Sequence, residues 1–246
     1  MTKRNDLTIY DRYAEQWWDG SQRWLRTLQN IVPARFKYFD WEMKWQDKTV
    51  LDLGCGGGFM SEALARRGAI VTAIDPAEGA IAIAKRHAAA EDLGIKYLVA
   101  SGESLPLADH SMDCVVCVDV LEHVADLNIV LDEVNRVLKP GGMFLFDTIN
   151  RTMLATLFVV HFGETILRLL PKGTHDPALF IPPRHLHELL AARGFSHIRM
   201  SGFGPRGIKK NLDVTFGRLP FQTVMYIGHA TSKKLRSITS SQIPSI

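Results

Sequence analysis

Val50-Leu51-Asp52-Leu53-Gly54-Cys55-Gly56-Gly57-Gly58 decides the fold. Val50, Leu51 and Leu53 are strand-like, and the four glycines admit backbone where any Cβ would collide with a ligand. Phe59–Arg67 then reads as a helix. A strand, a glycine loop and a helix in that order place a cofactor at the strand's carboxyl end.

Three cofactors compete for such a loop. A nucleoside triphosphate needs a lysine and a hydroxyl after the glycines, and this loop has neither. A dinucleotide needs G-x-G-x-x-G with a bare helix N-terminus for pyrophosphate. Counting from Gly54 puts Phe59 at the third glycine, and Asp52 ahead of the loop opposes a phosphate. Asp52 suits a cation, and S-adenosylmethionine carries an ammonium, a sulfonium and no phosphate. The next strand, Ala69–Ile74, leads into Asp75-Pro76, where a carboxylate can accept both hydroxyls of an adenosine ribose.

Asp52–Gly58 together with Asp75 resembles the first two motifs of the class I S-adenosylmethionine-dependent methyltransferases. The resemblance implies a doubly wound, mostly parallel, Rossmann-like α/β sheet of seven strands.

The chain has 246 residues and a formal net charge of +3, enough for a large core and too little positive charge for a nucleic-acid partner. Cys55, Cys114 and Cys117 make no disulfide pattern, and Cys114 and Cys117 lack the second pair that a zinc site would need. Met1–Asp6 is charged, without the apolar run of a signal peptide, so the expected compartment is the cytoplasm.

Residues 1–45 read as a helical lid and 46–230 as the methyltransferase unit, with an insertion at 150–183 and a disordered tail at 231–246. Thr8–Asp19 has the pattern of an amphipathic helix, either a packing helix or a lid whose Trp17 and Trp18 close over substrate. Later strands are expected at Lys96–Ala100, Cys114–Val118, Met143–Asp147, Phe195–Ser201 and Thr223–Gly228. Helices are expected at Ala77–Glu91, Leu127–Leu138 and Arg184–Arg193. Ser101-Gly102-Glu103 follows the third strand, a position from which adenine is read in open α/β sheets. Met153–Leu170 is too short for a membrane span, which takes about 20 apolar residues. It reads as a helix against the core or as an amphipathic segment on anionic lipid, with Arg168 and Lys172 meeting head groups across 153–172.

Tyr13–Asp19, Asp119–Val124, Asn150-Arg151, Leu170–Asp176 and Phe180-Ile181 narrow the likeness to the ubiquinone-biosynthesis O-methyltransferases, across roughly Ile9 to Gly202. The resemblance implies methyl transfer to a phenolic oxygen of a polyprenylated quinol or catechol at a membrane face. It places Arg35, Gly54, Asp75 and Val118 around the cofactor, and the loop reading adds Asp52, Gly56, Pro76, Gly102 and Glu103. The family's glutamate ahead of Leu-Glu-His is aspartate here, Asp119, and the chain after Gly202 departs from the family.

Asp119, Glu122 and His123, spaced i, i+3 and i+4, would share one face of a helical turn as the catalytic cluster. A phenol with a pKa near 10 needs help to lose its proton. His123 can act as general base, or the three residues can hold a divalent ion, and the resemblance favours the ion, Mg²⁺. Other readings are methylation of another small acceptor, a non-catalytic membrane protein with a vestigial loop, and a nicotinamide oxidoreductase, which Phe59 and Asp52 disfavour.

Overall fold

The computed structural model describes residues 5–166, 171–211 and 213–233. Helices α1 (Ile9–Arg12) and α2 (Arg23–Glu42) precede the sheet. Five parallel strands follow: β1 (Thr49–Leu53), β2 (Ile70–Asp75), β3 (Lys96–Val99), β4 (Met112–Cys117) and β5 (Leu138–Ile149). Between them run α3 (Phe59–Ala65), α4 (Glu78–Ala90) and α5 (Leu127–Val137). The central strands read as continuous apolar runs because both faces are covered. Val50 and Val116 pack with Phe36 and Phe39 of α2, Leu64 of α3 and Ile81 of α4. Leu51 and Val115 face the other way, onto Val130 and Leu131 of α5.

Beyond β5, α6 (Met153–Ala155) is capped by Thr152, whose hydroxyl accepts from Ala155 N at 2.9 Å. Its chain continues in wider π-helical turns over Thr156–Ile166. Residues 167–170, including Arg168, Leu169 and Leu170 of the expected lipid-facing stretch, lie outside the described residues. Next comes α7 (Pro183–Ala192), whose Leu186 and Leu190 join the α5 side of the core.

The sheet has eight strands, not the expected seven: β6 (Ser196–Ile208), β7 (Val214–Leu219) and β8 (Met225–Thr231) complete it in the order β3-β2-β1-β4-β5-β8-β6-β7. All pairings of the last three are antiparallel. The expected strand at Phe195–Ser201 is the first half of β6, whereas the rest of β6 and all of β7 escaped sequence reading because this part is largely exposed and carries glycines and a proline in place of apolar alternation. β5 begins at Leu138, earlier than the expected Met143, with Pro140-Gly141-Gly142 in a bulge within it. Met112 pairs with Leu138 and Cys114 with Met143, so the extra residues loop outward. Thr231 belongs to β8 and Ser232 N donates to Gly142 O at 2.8 Å, so the expected tail does not begin at 231. Residues 234–246 lie outside the described residues.

The expected helix over Thr8–Asp19 is broken into α1 and a 3-10 turn at Ala14–Gln16. Aromatic packing overrides the helical pattern: Trp17 and Tyr13 both meet Trp24 of α2 edge-on. The bend sends Trp17 and Trp18 to Phe59 at the start of α3, with centroids 5.7 and 4.6 Å away. Trp18 Nε1 donates to Gly57 O at 2.9 Å, and a Cβ on Gly57 would stand 2.3 Å from the Trp17 ring. Room at Gly57 therefore serves the covering segment rather than a ligand.

Gly54 turns the chain out of β1 at φ +74°, where a Cβ would sit 2.2 Å from Val120 Cγ2. Gly54→Ala should lower unfolding free energy by at least about 1–3 kcal/mol from backbone strain alone, read by urea denaturation. Wild-type stability in this variant would contradict the assignment.

Candidate active site

β1 lies between β2 and β4, so the connections after it leave in opposite directions and open a crevice at the strands' carboxyl ends. A cavity of about 600 Å³ fills this crevice, within the range of small-molecule sites. All nine residues expected around the cofactor line it: Arg35, Asp52, Gly54, Gly56, Asp75, Pro76, Gly102, Glu103 and Val118. Asn5, Tyr10 and Trp17 from the N-terminal segment form the cover. Asn5 and Tyr10 had no motif to betray them, since only folding brings the segment onto the loop.

Asp75 is set by backbone donors, Gly56 N on Oδ2 at 2.8 Å and Ala77 N on Oδ1 at 2.9 Å. Burial pushes its pKa up while these two donors pull it down. Asp52, at the end of β1, accepts from Ser61 Oγ on Oδ2 and leaves Oδ1 buried without a partner. Burial raises its pKa to about 7, against the Ser61 hydroxyl and the Arg35 charge, with Asp75 adding to the rise. A carboxyl held so high is about half neutral near pH 7, and a cation brought close to it would favour its charged form.

Arg35 lies in the cavity wall, but its guanidinium is already engaged. Nε and Nη2 donate to Asp147 at 2.6 and 3.1 Å, and Nη2 also pairs with Asp119. Any carboxylate of a cofactor at Arg35 has therefore to compete with two aspartates.

Asp119 is also not where helical spacing would put it. Its φ is +55°, so the residue leaves the helical region and its carboxylate turns to Arg35. Glu122 and His123 instead meet His175 from the insertion: one ligand atom of each lies within 4.8 Å of the others. His175 falls in the stretch Leu170–Asp176 that marks the family, yet nothing in its spacing tied it to His123. Glu164 was equally unreadable; its carboxylate accepts from Gly173 N at 2.8 Å, and from His175 N and Nδ1 at 2.9 and 3.0 Å.

Of the expected catalytic residues, Asp119 and His123 line the cavity, whereas Glu122 is buried behind it. His123 Nδ1 meets Asn5 Oδ1 at 2.6 Å, and Asn5 Nδ2 donates back to His123 O at 3.1 Å. Burial, helped by His175, lowers the His123 pKa to about 3, so the ring is neutral. Burial raises Glu122 to about 8, with Asp119 adding to the rise and the Thr148 hydroxyl opposing it. The Mg²⁺ set implied by resemblance does not assemble: Asp119 is taken by Arg35, and two imidazoles with one carboxylate do not suit an ion that demands oxygen ligands.

A methyltransferase-domain family model matches residues 51–146. The ubiquinone biosynthesis O-methyltransferase of Coxiella burnetii is 36% identical over 212 residues, covering 86% of this chain and 90% of its own. Its namesake in Saccharophagus degradans is 36% identical over 227 residues, 92% of this chain and 94% of its own. The Pseudomonas syringae protein of the same name is 40% identical over 184 residues, 74% of this chain and 79% of its own. A solved S-adenosylmethionine-dependent methyltransferase of Thermotoga maritima, described as a possible histamine N-methyltransferase, superposes with a TM-score of 0.66 at 18% identity, over 92% of this chain and 99% of that one. That likeness speaks for the fold, and the sequence relatives speak for the family. The chain is an S-adenosylmethionine-dependent methyltransferase and belongs to the ubiquinone biosynthesis O-methyltransferase family.

Proposed function

We propose that this enzyme transfers the sulfonium methyl of S-adenosylmethionine to a phenolic hydroxyl of a polyprenylated catechol or quinol in ubiquinone biosynthesis. The observation that carries the reading is one continuous cavity running from the Gly54 loop and Asp75 to His123. Asp75 would accept the ribose hydroxyls, Asp52 would face the cation, and Gly102 and Glu103 would border the adenine. Leu28, Val32 and Met60 give the cavity apolar wall for a lipophilic acceptor. The methyl carbon leaves sulfur for the phenolic oxygen, sulfur keeps the bonding pair as a neutral thioether, and the phenolic proton departs. His123, the member of the buried cluster in the cavity wall, is the group placed to meet that hydroxyl.

Incubation with S-adenosylmethionine and a short-chain prenyl catechol should yield a singly methylated product by mass spectrometry. His123→Ala should cut turnover about 100-fold or more at saturating cofactor. No methylated product from any prenylated catechol or quinol would remove the acceptor assignment.

Calorimetric titration should show cofactor binding that strengthens as pH rises toward 7 and levels off above it. Below 7 the empty site's Asp52 is protonated, and the cation must expel that proton to bind, so affinity should fall by up to about tenfold per unit. Asp52→Asn should flatten the profile, and Asp75→Ala should weaken binding by about 1.5–3 kcal/mol at every pH. A flat wild-type profile would overturn the role given to Asp52.

For access to its lipid-soluble acceptor, the enzyme would rest on the bilayer through α6 and the turns after it. Met153 is 91% exposed, with Leu154, Leu157 and Phe158 exposed beside it and Lys172 also at the surface. Such an apolar face with a nearby cation favours anionic lipid. No helix among the described residues is long and apolar enough to cross a membrane. Flotation with vesicles containing phosphatidylglycerol should carry the protein upward, less so for Leu157→Glu, and neutral vesicles should carry less. Equal binding to both vesicle types, or none, would speak against this contact.

A further inference from the structure

His87, in the last turn of α4, does not line the cavity. Its ring nevertheless stacks face to face on Trp18 of the cover, with centroids 3.7 Å apart and planes 5° from parallel. Rings so arranged attract beyond the area they bury. The imidazole is fixed in turn by α3, where the buried Glu62 meets its Nδ1 with Oε1 at 2.6 Å. Trp18 also meets Phe59 edge-on, with centroids 4.6 Å apart. These ring contacts set where the indole N–H points, and it points at Gly57 O, 2.9 Å away. Gly56 N, one residue back, donates to Asp75 Oδ2 at 2.8 Å. The loop is therefore gripped twice, by Asp75 within the crevice and by Trp18 from the cover. Two further links tie the cover to α4: Gly79 N donates to Asp11 Oδ1 at 2.7 Å, and Arg86 pairs with Glu15 at 2.6 Å. Neither touches Gly57, and the Arg86 pair is exposed, where ion pairs contribute little.

We infer that His87 is a positioning residue for the cofactor: acting through Trp18, it holds the Gly57 carbonyl and keeps the glycine loop in its binding conformation. Gly56 and Gly58, on either side of Gly57, have φ of +50° and +98°, and glycine backbones reach many other conformations as readily. Every conformation of the empty loop that cannot bind lowers the apparent affinity by the fraction it occupies. A grip from outside the crevice removes those alternatives before the ligand arrives. The chain of contact runs from Glu62 to His87, from His87 to Trp18 and from Trp18 to Gly57. The inference rests on the chain being an S-adenosylmethionine-dependent methyltransferase and is independent of the acceptor.

Calorimetric titration of the full chain with S-adenosylmethionine tests this without any acceptor. His87→Ala should weaken binding about 3- to 10-fold, the loss expected for one aromatic contact. Trp18→Leu, which loses the indole donor as well, should weaken it at least as much. The double variant should bind no more weakly than Trp18→Leu alone, because His87 reaches the loop only through Trp18. His87→Phe keeps a flat ring for the indole and should bind more tightly than His87→Ala, a rescue that a general loss of stability would not produce. Circular dichroism reports the folding of each variant. Trp18→Phe keeps the stack and drops only the donor to Gly57, so its weakened binding carries the test if His87→Ala misfolds. Wild-type affinity in folded His87→Ala or in Trp18→Phe, additive losses in the double variant, or equal losses in His87→Phe and His87→Ala would overturn the inference.

Discussion

The buried contact of Arg35 with Asp147 and Asp119 is the constraint on which the site depends. Arg35 reaches from α2 to the end of β5 and to the turn after β4, and both Arg35 and Asp147 are buried. Asp119 N also donates to Asp147 Oδ1 at 2.9 Å, so one carboxylate holds both the helix and the turn. In a low-dielectric interior such a group is stable only as a complete set: removing one member strands the others, at about 3–5 kcal/mol. The left-handed turn at Asp119 survives because this network over-determines it. From that turn follow the positions of Glu122 and His123 a few residues on.

The parallel half of the fold was legible because its causes are local. Strands buried on both faces must be apolar throughout, and helices between them must stop where Pro or Gly makes them stop, so β1 to β4 and their helices fall within a residue or two of expectation. That Asp52, Gly54 and Asp75 would meet at one crevice was legible for a related reason: they lie at strand ends, and topology alone brings strand ends of adjacent parallel strands together.

Legibility ended where tertiary contact overruled spacing. Asp119 looked like a ligand because i, i+3 and i+4 share a helix face, but a residue at positive φ breaks that geometry and a distant arginine claims its carboxylate. His175 is 52 positions beyond His123 by their numbering, and only the fold of the insertion makes them neighbours, with ring centroids 5.0 Å apart. β7 and the second half of β6 failed for the opposite reason, since they present little to the core and so wrote no hydrophobic pattern into the sequence.

The N-terminal segment joins two duties that are separate in the sequence. Trp17 and Trp18 lie on the glycine loop, while Asn5, twelve positions before Trp17, grips His123 through both its ring and its carbonyl. Displacing it would break the contacts at Gly57 and at His123 in the same movement, so the glycine loop and the imidazole share one support.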